Sequence, residues 1–533
     1  MIPRGAVALV ALALLAGRAG AQERPSEEEL FGAPTDVPSP PAPTQGEGKV
    51  EGGERKAQGA PRPDEAQLFG APPAAQAAQP PPQRLGGRVR DDTFAIGGQL
   101  YLRTQTTFLE DVEPGDAALS SPNLLDVYLD ARPNDRVRAF VLGRLSYDPT
   151  LPPEGSAPAA LGPSLLSPAT FRRGTSEPRG ALDQLWVNFD VGRRAFVTAG
   201  RQHVKWGVGR FWNPTDYLHP VRRDPLAVFD ARTGTMLVKL HVPWEARGWN
   251  AYGITVLEDV AGEPPIAADG TREGTARLGR IGVGGRTEIV LGPMELGLDA
   301  LAQDGHRPRF GVDVSAGVWD LDLYAEAAVR TSVDTPRWRE VPGATSTDLL
   351  DRFERHDRLG PTAQIVAGGT YAVNYSDEDA VTFGAEYFYD QSGYESPRIY
   401  PVLLGVGALA ASGTPLPKTA GQPNPFTPFY LGRHYGGAFV SLPKPGRWND
   451  TTFTLSVLGN LSDKSFVARL DHSVLALTYL RVETYAAGHF GTPEGEFRLG
   501  FNVAPQVLGG VPFGPNANPP MVFEAGIALR VSL

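Results

Sequence analysis

The chain contains no cysteine, and after its N-terminal segment it has no long uninterrupted apolar run. Without cysteine, a disulfide scaffold, a cysteine-ligated metal centre and a lipid anchor on an N-terminal cysteine are excluded. Without about 18 consecutive apolar residues, helical membrane spans are excluded too. A mean hydropathy of −0.22 with 41% hydrophobic residues fits a chain whose elements are apolar on one side only.

Basic residues are also fewer than acidic residues. The 50 Lys and Arg residues stand against 60 Asp and Glu residues, which gives a net charge of −10 and a pI near 5.4. A nucleic-acid partner would require a basic surface, so no such partner is expected.

Signatures of catalysis and of metal binding are missing. The eight histidines are scattered singly, with no H-E-x-x-H and no G-x-S-x-G motif. Asp471-His472-Ser473 looks like a catalytic triad in text, but neighbours on a strand point to opposite faces. We therefore expect no enzyme, no metal and no cofactor, although residues assembled from separate strands and loops stay open as an alternative.

An export signal is present at the N-terminus. Arg4 supplies a charged region, Ala6–Ala16 is an apolar region too short to span a bilayer, and Ala19-Gly20-Ala21 is a small-residue cleavage site. The sequence thus predicts a signal peptide over residues 1–21 and a location beyond the inner membrane.

Residues 22–92 are rich in Pro, Ala, Gly and Gln and predict a disordered tail on the periplasmic side. Within it, Arg24–Pro34 returns 38 residues later as Arg62–Pro72, with eight of eleven positions identical. Each copy reads as a short helix that ends in Leu-Phe-Gly-Ala-Pro, with Ser26 or Asp64 as the N-cap.

The exposed apolar pairs of this repeat have no packing purpose within the tail. The four residues are Leu30, Phe31, Leu68 and Phe69. Our hypothesis is that both copies dock onto a periplasmic protein and fold on binding, with avidity from the flexible spacer. Two alternatives remain open: a chance duplication in a biased segment, and a tail that plugs its own barrel.

From residue 93 to residue 533 the sequence predicts β-strands. Apolar and polar residues alternate most cleanly in Leu185–Val191, Met236–Val242, Leu321–Arg330 and Phe497–Val503, and again from Val522 to the last residue, Leu533. Lumen-facing residues predicted from this alternation include Lys239, Asp322, Glu326, Arg330 and Arg498. A β-sandwich would give the same period of two, so alternation alone does not decide the fold.

Connection lengths favour a closed barrel over a sandwich. Short connections at 132–136, 191–194, 243–248, 292–294 and 377–380 alternate with long ones at 149–180, 206–230, 259–277, 332–360 and 392–429. Short periplasmic turns that alternate with long outer loops are typical of antiparallel outer-membrane barrels. We therefore predict an all-β, closed transmembrane barrel of 16 to 18 strands, with the boundaries least secure over Phe466–Gly491.

Four tryptophans lie beside the proposed short turns. They are Trp244, Trp249, Trp319 and Trp448. We expect them to form an aromatic girdle at one membrane interface. The alternative is the general preference of aromatic residues for strands.

One segment resembles a known group of proteins. Gly200-Arg201-Gln202-His203-Val204-Lys205-Trp206-Gly207-Val208-Gly209, followed by Asn213-Pro214-Thr215-Asp216, is similar to the G-R-Q…W-G…N-P-x-D signature of porin-like Gram-negative outer-membrane barrels. The C-terminal strand is similar to the signal for barrel assembly but ends in Leu533, where an aromatic is usual. The resemblance implies an outer-membrane barrel with a transport role and names no substrate.

The same segment holds the candidate site. Residues 200–230 carry basic side chains interspersed with acids, and glycines and a proline interrupt the strand. One interpretation is an inward-folded loop that presents guanidinium groups to a passing anion; the other is that the arginines pair with neighbouring acids and brace the loop. The constriction candidates are Arg201, His203, Lys205, Arg210, Asp216, Arg222 and Arg223.

Two functions remain after these exclusions. The first is a porin-like channel for small solutes, possible because a barrel of this size encloses water unless loops fill it. The second is a structural barrel that anchors a periplasmic partner through the repeated tail motif. Conductance in planar bilayers separates the two.

Overall fold

The computed structural model describes residues 93–532, apart from gaps at 152–176, 220–221, 231, 259–280, 305, 334–336, 347, 349, 357–359, 377–378, 405–425, 504–505, 509–510 and 514–515. The predicted signal peptide and the tail, including Leu30, Phe31, Leu68 and Phe69, lie outside the described residues.

The described residues form one 19-stranded sheet, in which Ala118–Ser120 is a three-residue addition beside the first strand. Three two-stranded pairs lie outside it: Arg337–Glu340 with Phe353–His356, Phe501–Val503 with Asn516–Asn518, and Gln506–Leu508 with Val511–Phe513. The other eighteen strands of the sheet form the wall. In chain order they are Phe94–Leu109 (β1), Asn123–Asn134 (β2), Val137–Tyr147 (β3), Arg179–Val191 (β4), Ala195–Gln202 (β5), Thr235–Trp244 (β6), Trp249–Val256 (β7), Gly282–Leu291 (β8), Met294–Ala302 (β9), Arg309–Val318 (β10), Leu321–Arg330 (β11), Thr362–Asn374 (β12), Ala380–Asp390 (β13), His434–Pro443 (β14), Thr451–Asn460 (β15), Ser465–Leu477 (β16), Leu480–Gly491 (β17) and Met521–Ser532 (β18).

The sheet closes on itself. Each strand pairs antiparallel with the next, and β18 pairs with β1 from Gln99 opposite Ser532 to Leu109 opposite Met521. Closure leaves no edge strand, so every wall strand has two hydrogen-bonded neighbours. The prediction of a closed antiparallel barrel of 16 to 18 strands is confirmed at eighteen, and the insecure region around Phe466–Gly491 contains β16 and β17.

The two ends of the barrel differ in their connections. One end, which we call the short-turn end, carries connections such as 135–136, 192–194, 292–293 and 478–479, together with the start of β1 and the end of β18. The other, the loop end, carries the long connections 148–178, 203–234, 257–281, 331–361, 391–433 and 492–520. The predicted alternation is confirmed, with the difference that 303–308 and 461–464 at the loop end are short as well.

The outer face of the wall is apolar. Along β10, Phe310 is 53% exposed on the outside, whereas Asp313 is 2% exposed on the inside. Outward side chains such as Ile527 on β18 stay about half exposed because no protein layer covers them. A continuous band of this kind needs hydrocarbon against it, as in a membrane barrel. Within the described residues, no helix is both long and apolar enough to cross a membrane.

Four tryptophans lie at the short-turn end, as expected. Trp244, Trp319 and Trp448 are more than half exposed, and Trp249 packs edge-on against Trp244 with ring centroids 5.5 Å apart. This placement suits an interfacial girdle.

One predicted strand is wrong. Phe497 and Arg498 lie in a turn, Leu499 has a positive φ of 49°, and only Phe501–Val503 is extended, paired with Asn516–Asn518 outside the wall. Phe497 and Leu499 pack into the interior rather than against lipid, since both side chains are buried. Arg498 is therefore not a lumen-facing strand residue; it forms an ion pair with Glu110 at 2.6 Å at the loop end.

The apolar outer face predicts that a charged residue placed on it destabilises the barrel, most strongly halfway along a strand. We expect Leu240→Arg, halfway along β6 and 42% exposed on the outside, to lower the free energy of unfolding in lipid vesicles by about 2–4 kcal/mol. Val191→Arg, equally outward but at the short-turn end, serves as the control and should cost about 0–1 kcal/mol. Guanidinium titration in vesicles measures both, and equal costs would contradict a membrane-facing exterior.

Candidate functional site

The described residues of the connection between β5 and β6 (203–234) lie inside the ring of strands, and we call this connection the inward loop. Residues 209–219 are all buried. Both ends of the loop attach to Asp183 on β4: His203 Nε2 lies 3.0 Å from Asp183 Oδ1, and the Gly234 N–H donates to the same oxygen at 3.1 Å. The second oxygen of Asp183 forms an ion pair with Arg144 on β3 at 3.2 Å. Asp183 therefore joins the two ends of the inward loop, at His203 and Gly234, and we call this part the loop neck.

Glu326, on β11, holds the first turn of the inward loop. Its Oε2 accepts hydrogen bonds from the backbone N–H groups of Val208 and Gly209, both at 3.0 Å. Its Oε1 accepts the Thr215 N–H at 2.5 Å and the Thr215 hydroxyl at 2.8 Å. Backbone N–H groups that converge on a carboxylate make charge-assisted hydrogen bonds, which are stronger than neutral ones.

Glu386, on β13, holds the next three residues in the same way. Its Oε2 accepts the Arg210 N–H at 2.7 Å, and its Oε1 accepts the N–H groups of Phe211 at 3.1 Å and Trp212 at 2.8 Å. The Tyr324 hydroxyl donates to Oε2 at 2.8 Å. Two carboxylates of the wall thus take up the backbone donors of the loop from Val208 to Trp212.

The glycines of the segment are required by this close approach. A Cβ at Gly207, which has a φ of 86°, would overlap the side chains of Asn213 and Glu326. A Cβ at Gly209 would overlap the Trp212 carbonyl oxygen. The Gly-Val-Gly spacing therefore lets the backbone reach Glu326.

Aromatic packing fills the interior beside the second carboxylate. Trp212 stacks on Phe388 with ring centroids 5.7 Å apart, and its Nε1 donates to the Phe429 carbonyl at 3.0 Å. Phe211 packs edge-on against Phe439. Lumen-facing residues from β11 to β17 complete this apolar core: Tyr324, Val366, Phe388, Tyr435, Phe439, Leu458, Val467 and Ala487.

The opposite sector of the lumen is polar. On β2 and β3, Asp126 receives a bidentate hydrogen bond from Arg144 at 2.8 and 3.0 Å. On β1 and β17, Arg103 donates to the Tyr485 hydroxyl at 3.1 Å. The inner face therefore carries mainly apolar side chains beside β11–β15 and charged pairs beside β1–β4 and β16–β18, with a smaller buried cluster of Phe140, Leu142 and Trp186 on β3 and β4.

Most of the sequence candidates brace the inward loop. His203 pairs with Asp183, and Asp216 forms an ion pair with Arg232 of the loop at 2.8 Å. Arg223 lies 3.5 Å from the Arg210 carbonyl oxygen, and the Arg210 guanidinium stacks 4.0 Å above the Phe439 ring. These contacts favour the bracing interpretation for these residues.

The remaining candidates lie elsewhere. Arg201 is on the outward face of β5, between Leu185 and Met236, and pairs with Glu258 at 2.8 Å, so it is not a lumen residue. Its position follows from strand alternation, because Gln202 beside it faces inward. Lys205 is partly exposed in the loop neck. Arg222 approaches the wall at β12, where its guanidinium lies 3.4 Å from Gln364 Oε1.

A buried histidine completes the loop neck. His219 stacks beside His203 with ring centroids 5.3 Å apart. Burial lowers the pKa of His219 to about 4, and the nearby Arg232 acts in the same direction. The imidazole is therefore neutral at physiological pH and adds no positive charge to this part of the loop.

The residues that hold the inward loop were only partly visible in the sequence. Glu326 was predicted to face the lumen, but its role as an acceptor for the loop backbone was not predicted. Glu386 and Asp183 were missed. Glu386 stands at an inward position of an alternating strand, and Asp183 stands at a β-bulge where it and Gln184 are both buried. An acidic residue at an inward strand position was the available signal.

Asp471 and His472 of the triad-like sequence are not brought together. Asp471 accepts hydrogen bonds from the inward Arg469, whereas His472 stacks on Phe453, so Asp471 and His472 point to opposite faces as predicted. In the part of the chain that the structure describes, no group of three His, Asp or Glu residues is placed to hold a metal ion.

Comparisons with known proteins concern the barrel. No family model and no curated protein matches the chain. Among solved structures, it is similar to OprB of Pseudomonas putida (8% identity, 83% of this chain and 94% of that one, TM-score 0.44). It is also similar to OccK5 (OpdH) of Pseudomonas aeruginosa (7%, 83% and 99%, TM-score 0.45) and to a BenF-like porin of Pseudomonas fluorescens Pf-5 (11%, 82% and 98%, TM-score 0.44).

The hydrogen bonds to Glu386 predict that this residue protects three backbone amides from hydrogen exchange. In Glu386→Ala, the N–H groups of Arg210, Phe211 and Trp212 lose their charged acceptor, so their hydrogen exchange should accelerate about tenfold or more. Amide exchange followed by mass spectrometry measures this. Asp130→Asn, on β2 and paired only with Arg132 and Arg138, is the control and should leave these amides unchanged. Unchanged exchange in Glu386→Ala would show that the carboxylate does not hold the loop.

A second buried cluster of hydrogen bonds joins three connections at the loop end, 391–433, 461–464 and 492–520. Glu496 Oε2, in the connection 492–520, accepts the Tyr435 hydroxyl at 2.6 Å and Asn460 Nδ2 at 2.8 Å. Asp463 Oδ2 accepts the Glu496 N–H at 2.8 Å and the Tyr400 hydroxyl at 2.9 Å. Burial raises the pKa of Glu496 to about 8, and the charge on Asp463 adds to the shift.

The raised pKa of Glu496 predicts that the attachment of the connection 492–520 depends on pH. A solvent-exposed Glu carboxyl ionises near pH 4.5, and the buried Glu496 carboxyl ionises near pH 8. The stabilisation that protonated Glu496 gives to this connection is therefore complete below pH 4.5, falls between these values and is lost above pH 8. Tryptic cleavage at Arg498, normalised to a model peptide, should therefore be several-fold faster at pH 9.5 than at pH 6. Glu496→Gln should remove this dependence, while the exposed Glu494→Gln should keep it. The same pH response in both variants would contradict the assignment.

Proposed function

We propose that the protein is an outer-membrane channel for small solutes whose lumen is narrowed by the inward loop. The observation that carries the proposal is the set of hydrogen bonds from Glu326 and Glu386 to residues 208–215, which hold a loop within a closed eighteen-stranded ring. A ring of this size encloses an aqueous channel unless it is obstructed. The loop then determines how much of that channel stays open.

The distribution of side chains supports passage on one side of the loop. The inward loop packs against the apolar sector through Phe211 and Trp212. It also touches β1 and β18 through Phe229, whose ring centroid lies 5.0 Å from that of Tyr101 and 5.3 Å from the Arg530 guanidinium carbon. Polar solutes with their hydration water are compatible with the charged pairs of the wall and not with the apolar sector. On this proposal, the path passes beside the inward loop and follows the charged pairs of β1–β4 and β18.

Conductance tests this function directly. In planar bilayers the wild-type protein should give small, discrete current steps, since the loop occupies part of the cross-section. The double variant Glu326→Ala, Glu386→Ala removes both acceptors, so the loop should leave its position and the step size should rise at least twofold, as expected from a doubled open area. Asp320→Ala, which removes an exposed carboxylate in the turn 319–320 at the short-turn end, is the control and should leave the step size unchanged. A wild-type protein that inserts but never conducts would contradict a channel.

The tail supports a second candidate function, a barrel that anchors a periplasmic protein. The start of β1 lies at the short-turn end, because Phe94 pairs with Ala131 next to the turn 135–136. If short turns face the periplasm, as in outer-membrane barrels, the chain that precedes β1 begins on that side. That part of the chain contains the duplicated Leu-Phe motifs at residues 30–31 and 68–69, and on this proposal both copies bind one periplasmic partner.

Cross-linking of the full chain in cells tests the tail. We expect wild-type protein to co-purify with a specific periplasmic partner, a two-residue Leu-Phe→Ala change in either copy to reduce recovery, and the change in both copies to abolish it. Conductance should be unaffected in all three. Equal recovery from the variant altered at Leu30, Phe31, Leu68 and Phe69 would end the docking hypothesis.

A further inference from the structure

Basic side chains gather on one arc of the short-turn end. Three turns, 132–136, 192–194 and 245–248, contain five arginines and two carboxylates, although the whole chain carries a net charge of −10. One of these arginines, Arg132, pairs with Asp130 at 3.0 Å. The other four are exposed, and we call them the basic rim: Arg136, Arg193, Arg194 and Arg247.

The three turns are neighbours around the barrel. β3 and β4 pair from Val137 opposite Phe189, which places the turn 132–136 beside the turn 192–194. β5 and β6 pair at Phe196 opposite His241, which places the turn 192–194 beside the turn 245–248. The basic rim therefore follows one continuous arc, beside β2–β7.

Three charges of the basic rim are not neutralised by the wall. In the part of the chain that the structure describes, the side chains of Arg136, Arg193 and Arg194 form no ion pair. Asp190 instead accepts the backbone N–H of Arg193 at 2.6 Å and so holds the turn. Exposed like charges on adjacent turns repel one another, and an anion bound between them lowers that energy.

An apolar collar adjoins the basic rim on the outer face of the wall. Its residues Phe189, Val191 and Trp244 are 39%, 53% and 56% exposed. The Arg247 guanidinium carbon lies 5.8 Å from the centroid of the Trp244 ring and 5.1 Å from that of Trp249. This arrangement suits a membrane interface, where indole rings lie at the level of the head groups and arginine reaches toward phosphate.

The opposite arc of the same end has the reverse charge. The adjoining turns 375–379 and 444–450 together contain four carboxylates and two basic residues. Lys444 pairs with Asp379 at 3.5 Å. Trp448 is 62% exposed beside Arg447, so an interfacial tryptophan with an adjacent arginine is present on this arc too. The two arcs thus differ in the surplus of positive charge.

We propose that the basic rim and the apolar collar form a binding site for an anionic phospholipid, with the phosphate among the guanidinium groups and the acyl chains along the collar. The charges are complementary, and a guanidinium can donate two hydrogen bonds to one phosphate. If the short turns face the periplasm, as in outer-membrane barrels, the site lies in the leaflet that consists of phospholipid. The site goes beyond the proposed channel and does not require that the barrel conduct.

Native mass spectrometry of the full chain tests the site. The protein is released from mixed micelles of nonionic detergent with equal amounts of phosphatidylglycerol and phosphatidylcholine, which both contain phosphate and acyl chains and differ in net charge. Wild-type protein should retain phosphatidylglycerol several-fold more than phosphatidylcholine. An arginine near an anionic lipid surface contributes about fivefold in affinity. Arg247→Gln should therefore weaken phosphatidylglycerol binding about fivefold, and the double variant Arg193→Gln, Arg194→Gln about twentyfold.

Arg447→Gln is the matched control. This arginine is also exposed at the short-turn end and follows a glycine in a turn beside a tryptophan, but it lies on the opposite arc. Its loss should leave the retention of both lipids unchanged. Equal retention of the two lipids by folded wild type, full binding by the basic-rim variants, or the same weakening in Arg447→Gln would overturn the proposal.

Glycerol phosphate distinguishes a lipid site from a site for free phosphate. It carries the phosphate without acyl chains, so in excess it should leave the bound phosphatidylglycerol in place. Displacement of the lipid would show that the collar contributes nothing and would overturn the proposal. Planar-bilayer conductance of the same variants reports on the channel separately, so failure of the lipid site and failure of the channel are distinguishable.

Discussion

Glu326 and Glu386 impose the constraint on which the interior depends. Each is a carboxylate almost completely removed from solvent, and a buried charge is tolerated only when its oxygens are hydrogen-bonded. The donors come from the backbone of the inward loop, between Val208 and Thr215, and from Tyr324. The loop and the two carboxylates therefore stabilise each other. Without the loop, the buried carboxylates would lack hydrogen-bond donors, and without the carboxylates, the loop N–H groups would lack acceptors.

The rest of the interior follows from this arrangement. Once residues 208–212 are fixed, Phe211 and Trp212 are directed into the apolar sector, where aromatic side chains of β13 and β14 receive them. Asp183 then closes the neck, and Arg232 neutralises Asp216 within the loop. The polar sector across the lumen stays charged because its arginines and acids pair along the wall. The inner face thus combines an apolar packed region beside β11–β15 with charged pairs beside β1–β4 and β16–β18.

The wall could be predicted from the sequence and the interior could not. Alternation in Leu321–Arg330 indicates which residues face lipid, because contact with hydrocarbon favours an apolar side chain at each outward position. The same rule failed at Phe497–Val503, where apolar residues alternate because they pack into a folded loop. The contacts of Glu386 join residues more than 170 positions apart, and no local pattern records such a pairing. Arg201 shows the same limit, since its charge suggested the lumen while its register places it outside.

Disulfide trapping in the cysteine-free chain tests the central claim most directly. A Cβ at Gly437 on β14 would meet the Phe211 ring, whereas the adjacent Ala438 points outward. Oxidation of Phe211→Cys, Gly437→Cys in native membranes, followed by mass spectrometry, should give the cross-linked peptide, and Phe211→Cys, Ala438→Cys should not. Failure of the first pair to cross-link in folded protein, or equal cross-linking of both pairs, would contradict a loop held against the inner wall.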